Sequence, residues 1–282
     1  MEAGVLLVAV LTTFQRTPLD AVLARLDAYL AAYEPGLSEL VADEVMQQEV
    51  RVTEPLQPAD LVRGRRETRL RRRLDAEVAF IALPDAAGWL GFRHVTAVNT
   101  KPVALSDSPL IDLLRLPGLT AAKTLLDESA THNLGLPRTT NLPNLPLEFL
   151  HARNRKRWLI RADGNQAIRG IRTMRIVLLE RVTPTLIRNP DTGADMPSVA
   201  RAWIDPENGR LLRAEVSTFA QAGARIPQNT VTVEFAEDRT LGLFVPVEMR
   251  ETFPAERGAA GTSVARYSNF RRFQTSARIV PQ

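Results

Sequence analysis

Near the start of the chain, hydrophobic residues recur at helical spacing. Six of them would lie along one helix face: Leu19, Val22, Leu23, Leu26, Leu30 and Tyr33. Thr17 is a suitable capping residue, Pro18 fits the first helical position, and Asp20 suits the positive end of the helix dipole. The pattern predicts a helix that Pro35 interrupts, followed by a second short helical piece at 37–43.

From Glu44 onward the hydrophobic pattern changes from helical to alternating. Val231, Val233 and Phe235, for example, alternate with polar residues, which gives a strand one apolar face and one wet face. Ten extended segments are predicted in this way: 45–53, 66–83, 87–99, 156–162, 170–181, 198–205, 210–219, 229–236, 244–253 and 262–274. So many closely spaced strands predict an antiparallel sheet that must curl or close to protect its edges.

The middle of the chain interrupts the strands with helical patterns. These patterns cover 110–116, 120–132 and 145–153, and prolines and glycines break them into short pieces. A helical insert at about 107–153 would therefore cover the sheet as a lid. The predicted fold class is α+β, mostly antiparallel β: a curled sheet or incomplete β-barrel with an N-terminal helix and a mid-chain helical lid.

The first residues differ from the rest of the chain. Gly4 to Leu11 is an apolar run that is too short to span a bilayer and is typical of the end of a secretory signal peptide. Glu2 stands where a positive residue is usual, and a buried N-terminal strand is the alternative. We expect a signal-peptide remnant or disordered start over 1–16, a single domain over 17–282, and a periplasmic or secreted location.

Composition limits the chemistry that is open to the chain. Its 282 residues are 45% hydrophobic, which is enough for a sizeable core. The 36 basic and 32 acidic residues nearly balance, so charge by itself does not indicate nucleic-acid binding. This sequence has no cysteine, which excludes disulfides, zinc–thiolate sites, a thiol nucleophile and a lipid-modified cysteine within it.

A hairpin can be predicted from the segment AWIDPENGRLLRAE, residues 202–215. Asp205-Pro206 starts a turn, and Asn208-Gly209 supplies the positive φ needed to leave it. The segment resembles the strand, WIDPxTG turn and strand of the periplasmic lipoprotein carrier (LolA-like) superfamily.

The order of elements supports the same resemblance. Members of that superfamily have an N-terminal helix, an incomplete antiparallel barrel and mid-chain helices over its open side, and this order matches residues 17–275. Residues 241–251 and 267–273 are also similar to the closing segments of exported bacterial proteins of this kind. The resemblance implies a non-catalytic protein that binds a lipid, an acyl chain or an apolar peptide on a concave sheet beneath movable helices.

Large aromatic residues are the candidates for the lining of such a sheet. Seven are predicted to be ligand-binding: Phe80, Trp89, Phe92, Trp158, Trp203, Phe235 and Phe244. Ordinary core packing is the alternative for each of them, because large apolar side chains are usually buried.

Arginine is concentrated in one predicted strand. Seven arginines lie within residues 63–73, and Arg69, Arg71 and Arg73 would share one face of the strand. They are candidates for anion binding, to a phosphate, a lipid head group or a polyanion. The alternatives are a solvated or edge strand that charge protects from aggregation, and an envelope structural or interaction protein that docks through this face.

Signals for catalysis are weak. Glu148 and His151, like Glu128 and His132, are spaced so that two ligands would share one helix face. The chain has no His-Glu-x-x-His, no Gly-x-Ser-x-Gly, no phosphate-binding glycine loop and no dinucleotide fingerprint. A hydrolase is the remaining enzymatic alternative, and we expect no catalytic residue, metal or cofactor. The expected partners are an apolar ligand, an envelope protein or a membrane surface, and not nucleic acid.

Overall fold

The computed structural model describes residues 18–38, 40–53, 67–83, 88–103, 127–135, 138, 140–189, 192–256 and 259–272. Three expectations lie outside these residues: the start at 1–16, the helix at 110–116 and the first part of the helix at 120–132. The side chain of Trp89 is also outside the description. The expectation of a single domain stays a prediction.

The N-terminal helix, α1, spans Leu19–Leu37 and buries one stripe of side chains. Four of the six residues that the helical spacing places on one face are buried, as is Leu37, while Leu19 and Leu23 are half-buried; the buried four are Val22, Leu26, Leu30 and Tyr33. Pro35 lies inside the last turn instead of interrupting the helix. The helix ends at Ser38, whose N–H donates to the Glu34 carbonyl at 3.1 Å and whose hydroxyl donates to the Pro35 carbonyl at 2.8 Å.

The residues after α1 form a strand, so the predicted helical piece at 37–43 is wrong. Strand β1 spans Leu40–Thr53, and its inward side chains Ala42 and Met46 are fully buried. Its backbone pairs with one strand on each side, which satisfies the N–H and C=O groups of a buried segment more completely than one helical turn would. Tertiary pairing therefore outweighs the local pattern here.

Within the described residues, eleven strands form one sheet, one more than the sequence predicts. Their bounds are β1 Leu40–Thr53, β2 Glu67–Leu83, β3 Gly88–Val98, β4 Lys101–Pro102, β5 Trp158–Ile168, β6 Ile171–Glu180, β7 Ser198–Ile204, β8 Leu211–Thr218, β9 Asn229–Asp238, β10 Leu243–Glu256 and β11 Ala259–Arg272. The additional strand is the two-residue β4.

The sheet is antiparallel and open. Its order is β4-β3-β2-β1-β11-β10-β9-β8-β7-β6-β5, so neighbours in the sheet are neighbours in sequence except where β1 pairs with β11. Strands β4 and β5 stand at the two ends of this order. The predicted fold class, a mostly antiparallel sheet that stays incomplete as a barrel and has an N-terminal helix and mid-chain helices, is confirmed.

The two faces of the sheet differ in polarity. We call the face that packs against α1 the inner face; on β9 it presents Val231, Val233 and Phe235, all buried, while Thr230 and Thr232 point the other way and are half-exposed. The outer face is rich in ion pairs between adjacent strands, such as Arg201 with Glu215. The alternation in the sequence therefore predicts the orientation of these strands.

The predicted hairpin connects β7 and β8 as expected. The Asp205 side chain accepts from the Glu207 N–H at 2.9 Å and from the Asn208 amide at 2.7 Å, and Gly209 adopts a φ of +77°. A Cβ at Gly209 would overlap backbone atoms of Arg25 in α1. The turn therefore packs directly on the helix, and only glycine permits that approach.

Within its described residues, the mid-chain insert is helical only in short pieces. Residues 127–130 form one helical turn, the helix α2 spans Leu145–Leu150, and a 3₁₀ helix follows at Ala152–Arg157. The helix predicted over 145–153 is thus divided in two. We call residues 127–135, 138 and 140–150 the cover segment, because they lie over the inner face of β1, β2 and β3.

Candidate functional site

The cover segment is joined to the inner face largely by hydrogen bonds. The amide of Gln48 in β1 holds one loop at two points: its Nε2 donates to Asn133 Oδ1 at 2.9 Å, and its Oε1 accepts from the Leu134 N–H at 3.0 Å. Arg72 in β2 donates to the carbonyl of His132 at 2.8 Å. Polar groups of the sheet thus replace the water that the backbone of this loop would otherwise bind.

Arg93 lies at the centre of these contacts. Its backbone N–H donates to Ser129 Oγ at 2.9 Å, and its Nη2 donates to the carbonyl of Asn141 at 2.7 Å. The guanidinium also makes two hydrogen bonds to the carboxylate of Glu44, one of them 2.9 Å long between Nη2 and Oε1. Both side chains are 0% exposed. One buried cation therefore connects β1, β3 and the cover segment.

The electrostatics of this pair keep Arg93 charged. Burial by itself lowers the pKa of the guanidinium, but the charge and hydrogen bonds of Glu44 outweigh that effect, and the net pKa is raised. Tyr267, which interacts with both groups, has a pKa raised well above its usual value, mainly by burial. The Tyr267 hydroxyl therefore remains neutral and can serve the ion pair only as a dipole.

A second buried ion pair crosses from the cover segment to the sheet. Arg138 Nε lies 2.8 Å from Glu251 Oε1, and neither side chain is more than 7% exposed. The carboxylate of Glu251 also accepts from Ser263 Oγ at 2.9 Å and from the amide of Asn229 at 3.2 Å. Lifting the cover segment would take the cation away from Glu251 and leave the two neutral donors.

The far end of the cover segment is apolar. Four residues of α2 are buried: Pro146, Leu147, Phe149 and Leu150. The ring of Phe149 stacks on Trp158 at the start of β5, with 5.1 Å between the ring centroids. At the other side of α2 the chain approaches β3 so closely that a Cβ at Gly91 would overlap Asn144 Oδ1. Helix α2 therefore occupies apolar surface that the sheet would otherwise present.

The aromatic residues predicted as ligand-binding divide between the two faces. Phe80, Trp158, Phe235 and Phe244 lie on the inner face and are nearly fully buried. Phe92 is buried on the opposite face of β3 from Arg93, where it stacks on His94. Trp203 lies on the outer face, where its Nε1 donates to Gln166 at 2.7 Å and the guanidinium of Arg213 lies 5.3 Å from its ring.

Sequence reasoning missed the four charged residues of the two buried ion pairs at the cover segment: Glu44, Arg93, Arg138 and Glu251. A charged residue in an alternating strand is normally assigned to the wet face, and nothing in the local pattern marks these as exceptions. For Trp203 the sequence does contain a signal. Trp203 and Arg201 are two residues apart in β7 and therefore point to the same face, whereas Ala200, Ala202 and Ile204 point to the other face. The alternation of side chains along β7 therefore assigns Trp203 to the face that carries the charges.

The acid–histidine pairs noted in the sequence do not converge. Glu148 binds Arg153 at 2.5 Å, while His151 Nε2 lies 3.3 Å from Glu34 in α1. Glu128 lies 3.9 Å from His94, and burial, followed by the charge of Arg72, lowers the pKa of His132. Within the described residues, no group of three metal-binding side chains occurs.

Among the open clefts lined by described residues, three lie at different places on the sheet. The largest, about 490 Å³, lies on the outer face among the arginines of β2. One of about 270 Å³ lies between the start of α1 and the β5–β6 hairpin, and one of about 160 Å³ lies between α1 and β10. No helix among the described residues is both long and apolar enough to cross a membrane.

Comparisons with known proteins give only distant structural matches. No family model matches the chain, and no curated protein matches its sequence. Among solved structures, a LolA superfamily protein from Nitrosomonas europaea is 12% identical over 91% of this chain and 93% of that one, with a TM-score of 0.35. A DUF1329 family protein from Desulfovibrio piger is 12% identical over 91% and 94%, with a TM-score of 0.38. A putative outer membrane lipoprotein-sorting protein domain from Vibrio parahaemolyticus is 13% identical over 91% and 94%, with a TM-score of 0.36. One of these three proteins is described as a member of the LolA superfamily, the superfamily that residues 202–215 resemble.

Proposed function

We propose that this protein is an exported binding protein that holds a lipid, an acyl chain or an apolar peptide on the inner face of its sheet, beneath the cover segment. One observation carries the proposal: among the described residues, the cover segment is held over the inner face by hydrogen bonds and one ion pair, together with the short apolar helix α2. Water can replace such polar contacts when the segment lifts. An apolar ligand can take the surface that α2 leaves.

The size of α2 sets the size of a suitable ligand. Leu147, Phe149 and Leu150 stabilise the closed position by roughly 6 kcal/mol, at about 2 kcal/mol for each buried side chain. An acyl chain gains about 0.8 kcal/mol for each buried CH₂, so about eight methylenes offset that loss. Association has its own cost, which raises the required length further. The site therefore favours long acyl chains.

We accordingly expect fatty-acid affinity to depend steeply on chain length. Acids shorter than about eight carbons should not displace a fluorescent long-chain fatty acid, and those longer than about twelve should displace it with increasing affinity. Competition titrations with a series of fatty acids measure this dependence. Equal displacement by short and long acids would contradict an exchange of α2 for the ligand.

A disulfide that closes the cover segment tests the proposal directly. A Cβ built at Gly91 lies 3.2 Å from the Cβ of Leu142, so the two need to separate by only about 0.3–0.6 Å to reach the usual Cβ–Cβ distance in a disulfide. We propose the variant Gly91→Cys/Leu142→Cys/Asn144→Ala, in which the alanine removes the side chain that overlaps position 91. Because the sequence has no other cysteine, only this bond can form within one chain.

The oxidised variant is expected to bind a fluorescent long-chain fatty acid at least about tenfold more weakly than the same protein after reduction, because oxidation removes the open state from the equilibrium. The matched control is Gly91→Cys/Asn144→Ala, which keeps Leu142 and cannot cross-link within the chain. It should bind equally with and without reductant. Equal binding by the oxidised and reduced forms of the cross-linked variant would refute a ligand site beneath the cover segment.

A further inference from the structure

The ion pairs of this protein differ in whether lifting the cover segment would separate them. The arginines predicted to bind anions, Arg69, Arg71 and Arg73, are exposed on the outer face, where Arg71 binds Glu49 and Arg73 binds Asp75. Both of these pairs join residues of the sheet. Movement of the cover segment therefore leaves them unchanged, and anion binding by these arginines stays a prediction.

The two buried ion pairs respond differently to such a movement. Glu44 and Arg93 both belong to the sheet, in β1 and β3, so their charges continue to neutralise each other. Glu251 belongs to β10, but its cation, Arg138, belongs to the cover segment. The guanidinium of Arg138 also donates from Nη1 to the carbonyl of Leu134 in the same segment, at 3.0 Å. Lifting the segment would therefore remove the cation and leave the carboxylate on the sheet.

Glu251 would then carry an uncompensated charge on the inner face. Its side chain is 0% exposed, and it keeps two neutral donors on the sheet, Ser263 Oγ at 2.9 Å and the amide of Asn229 at 3.2 Å. Among the described residues, Arg138 is the one cation in salt-bridge contact with this carboxylate. A ligand that covered Glu251 with an apolar group would leave a buried charge without its partner, which is strongly unfavourable.

The surface around Glu251 is polar on one side and apolar on the other. Glu251 stands opposite Ser263 of β11. Two residues back along β10, Met249 stands between Val233 of β9 and Ala265 of β11, and all three of these apolar side chains are fully buried. A ligand with a polar group at Glu251 would thus have apolar surface directly beyond that group.

We propose that the inner face binds a lipid with an amine head group, whose ammonium takes the place of the Arg138 guanidinium on Glu251. This inference rests on the proposed function, because it names the head group of a ligand that displaces the cover segment. An ammonium donates three hydrogen bonds and restores the charge balance of the carboxylate. An apolar peptide fits less well, because its backbone N–H and C=O groups would lie against Met249, Val233 and Ala265 without partners.

Two single-chain ligands that differ in the head group test the inference. Tetradecylamine is cationic at neutral pH, as the lysine side chain is, and tetradecanol is neutral. Each competes with a fluorescent long-chain fatty acid for the unchanged protein, and the ratio of their dissociation constants is the quantity of interest. Both ligands need the same opening of the cover segment, so its cost cancels in the ratio. Tetradecylamine is expected to bind at least about tenfold more tightly, as a hydrogen bond to a charged group allows.

Two variants break the same ion pair from opposite sides. Glu251→Gln removes the carboxylate, so the two ligands should bind with nearly equal affinity. Arg138→Gln leaves the carboxylate in place, so it should strengthen the binding of both ligands and keep the preference for the amine at about tenfold or more. A pair that served only to hold the cover segment closed would give the same ratio in both variants, and that result would overturn the inference.

The matched control is Glu248→Gln, which removes the same charge from the outer face of the same strand. Glu248 binds Arg250 and Arg266 there. The control should keep the preference for tetradecylamine. An equal loss of preference in Glu248→Gln and Glu251→Gln would mean that net charge alone attracts the amine, and would overturn the inference. If Glu251→Gln does not fold, equal binding of the two ligands by Arg138→Gln would still overturn it.

The outcomes for the unchanged protein separate this inference from the proposed function. Equal affinity for tetradecylamine and tetradecanol would overturn the inference and leave the proposed function standing. Displacement of the fluorescent fatty acid by neither ligand would overturn both. Stronger displacement by an apolar peptide with a single lysine than by tetradecylamine would overturn the assignment of the amine to a lipid.

Discussion

Replacing Arg93 with methionine is expected to lower the free energy of unfolding by about 3–5 kcal/mol, because it leaves a buried carboxylate without its cation. Glu44 is 0% exposed and makes two hydrogen bonds to Arg93, so no water can easily replace the lost partner. The same change removes the donor to the carbonyl of Asn141 and so loosens the cover segment. Urea denaturation followed by circular dichroism measures the loss.

The double variant Glu44→Met/Arg93→Met is the control for this result. It replaces both charged side chains with apolar ones of similar volume, and replacing a whole buried ion pair in this way often changes the free energy of unfolding little. We expect it to be at least about 2 kcal/mol more stable than Arg93→Met alone, within the range of coupling energies for contacting residues. If the free energy of unfolding of Arg93→Met lay within about 1 kcal/mol of that of the unchanged protein, this would contradict a buried ion pair at this position.

Replacing Gly209 with alanine is expected to destabilise the protein by roughly 3 kcal/mol or more, through two effects that add. The φ of +77° costs a residue with a Cβ about 1–2 kcal/mol. The new methyl group would also overlap backbone atoms of Arg25, and forcing atoms into a packed region costs about 1–3 kcal/mol. Because the obstacle is helix backbone, no side chain can rotate away, and the turn must separate from α1.

Gly223 provides the matched control for Gly209. Its φ is +81°, but no atom lies within 4 Å of the position that its Cβ would take. Gly223→Ala should therefore show only the conformational cost of about 1–2 kcal/mol. Hydrogen exchange of α1 should accelerate in Gly209→Ala and stay unchanged in Gly223→Ala. Equal losses of stability in the two variants would mean that the turn does not pack on the helix as described.

The orientation of side chains on the strands could be predicted from the sequence because one face of the sheet is dry. In β9, Val231, Val233 and Phe235 had to point inward together, and a shift of one residue would have exposed all three. The hairpin after β7 could be predicted equally well, because Asp205-Pro206 and Asn208-Gly209 belong to the few residue types that suit such a turn. These features depend on local backbone geometry, which the types of adjacent residues determine.

The site beneath the cover segment could not be read in this way. Glu44 and Arg93 are separated by 49 positions, and each taken alone belongs on a wet face. Only when β1 and β3 flank β2 on one sheet do the two side chains meet and compensate each other's desolvation. The same holds for Arg138 and Glu251, which come from the cover segment and β10.

The sequence by itself determined the class of fold, the orientation of most strands, the tight hairpin and the concentration of arginine in β2, because each depends on the period or chemistry of neighbouring residues. The tertiary structure decided that the chain after α1 becomes a strand, which arginines are buried and which face solvent, and where the cover segment is attached. Those outcomes depend on pairing and charge compensation between segments far apart in the chain, whose free energy no local pattern contains.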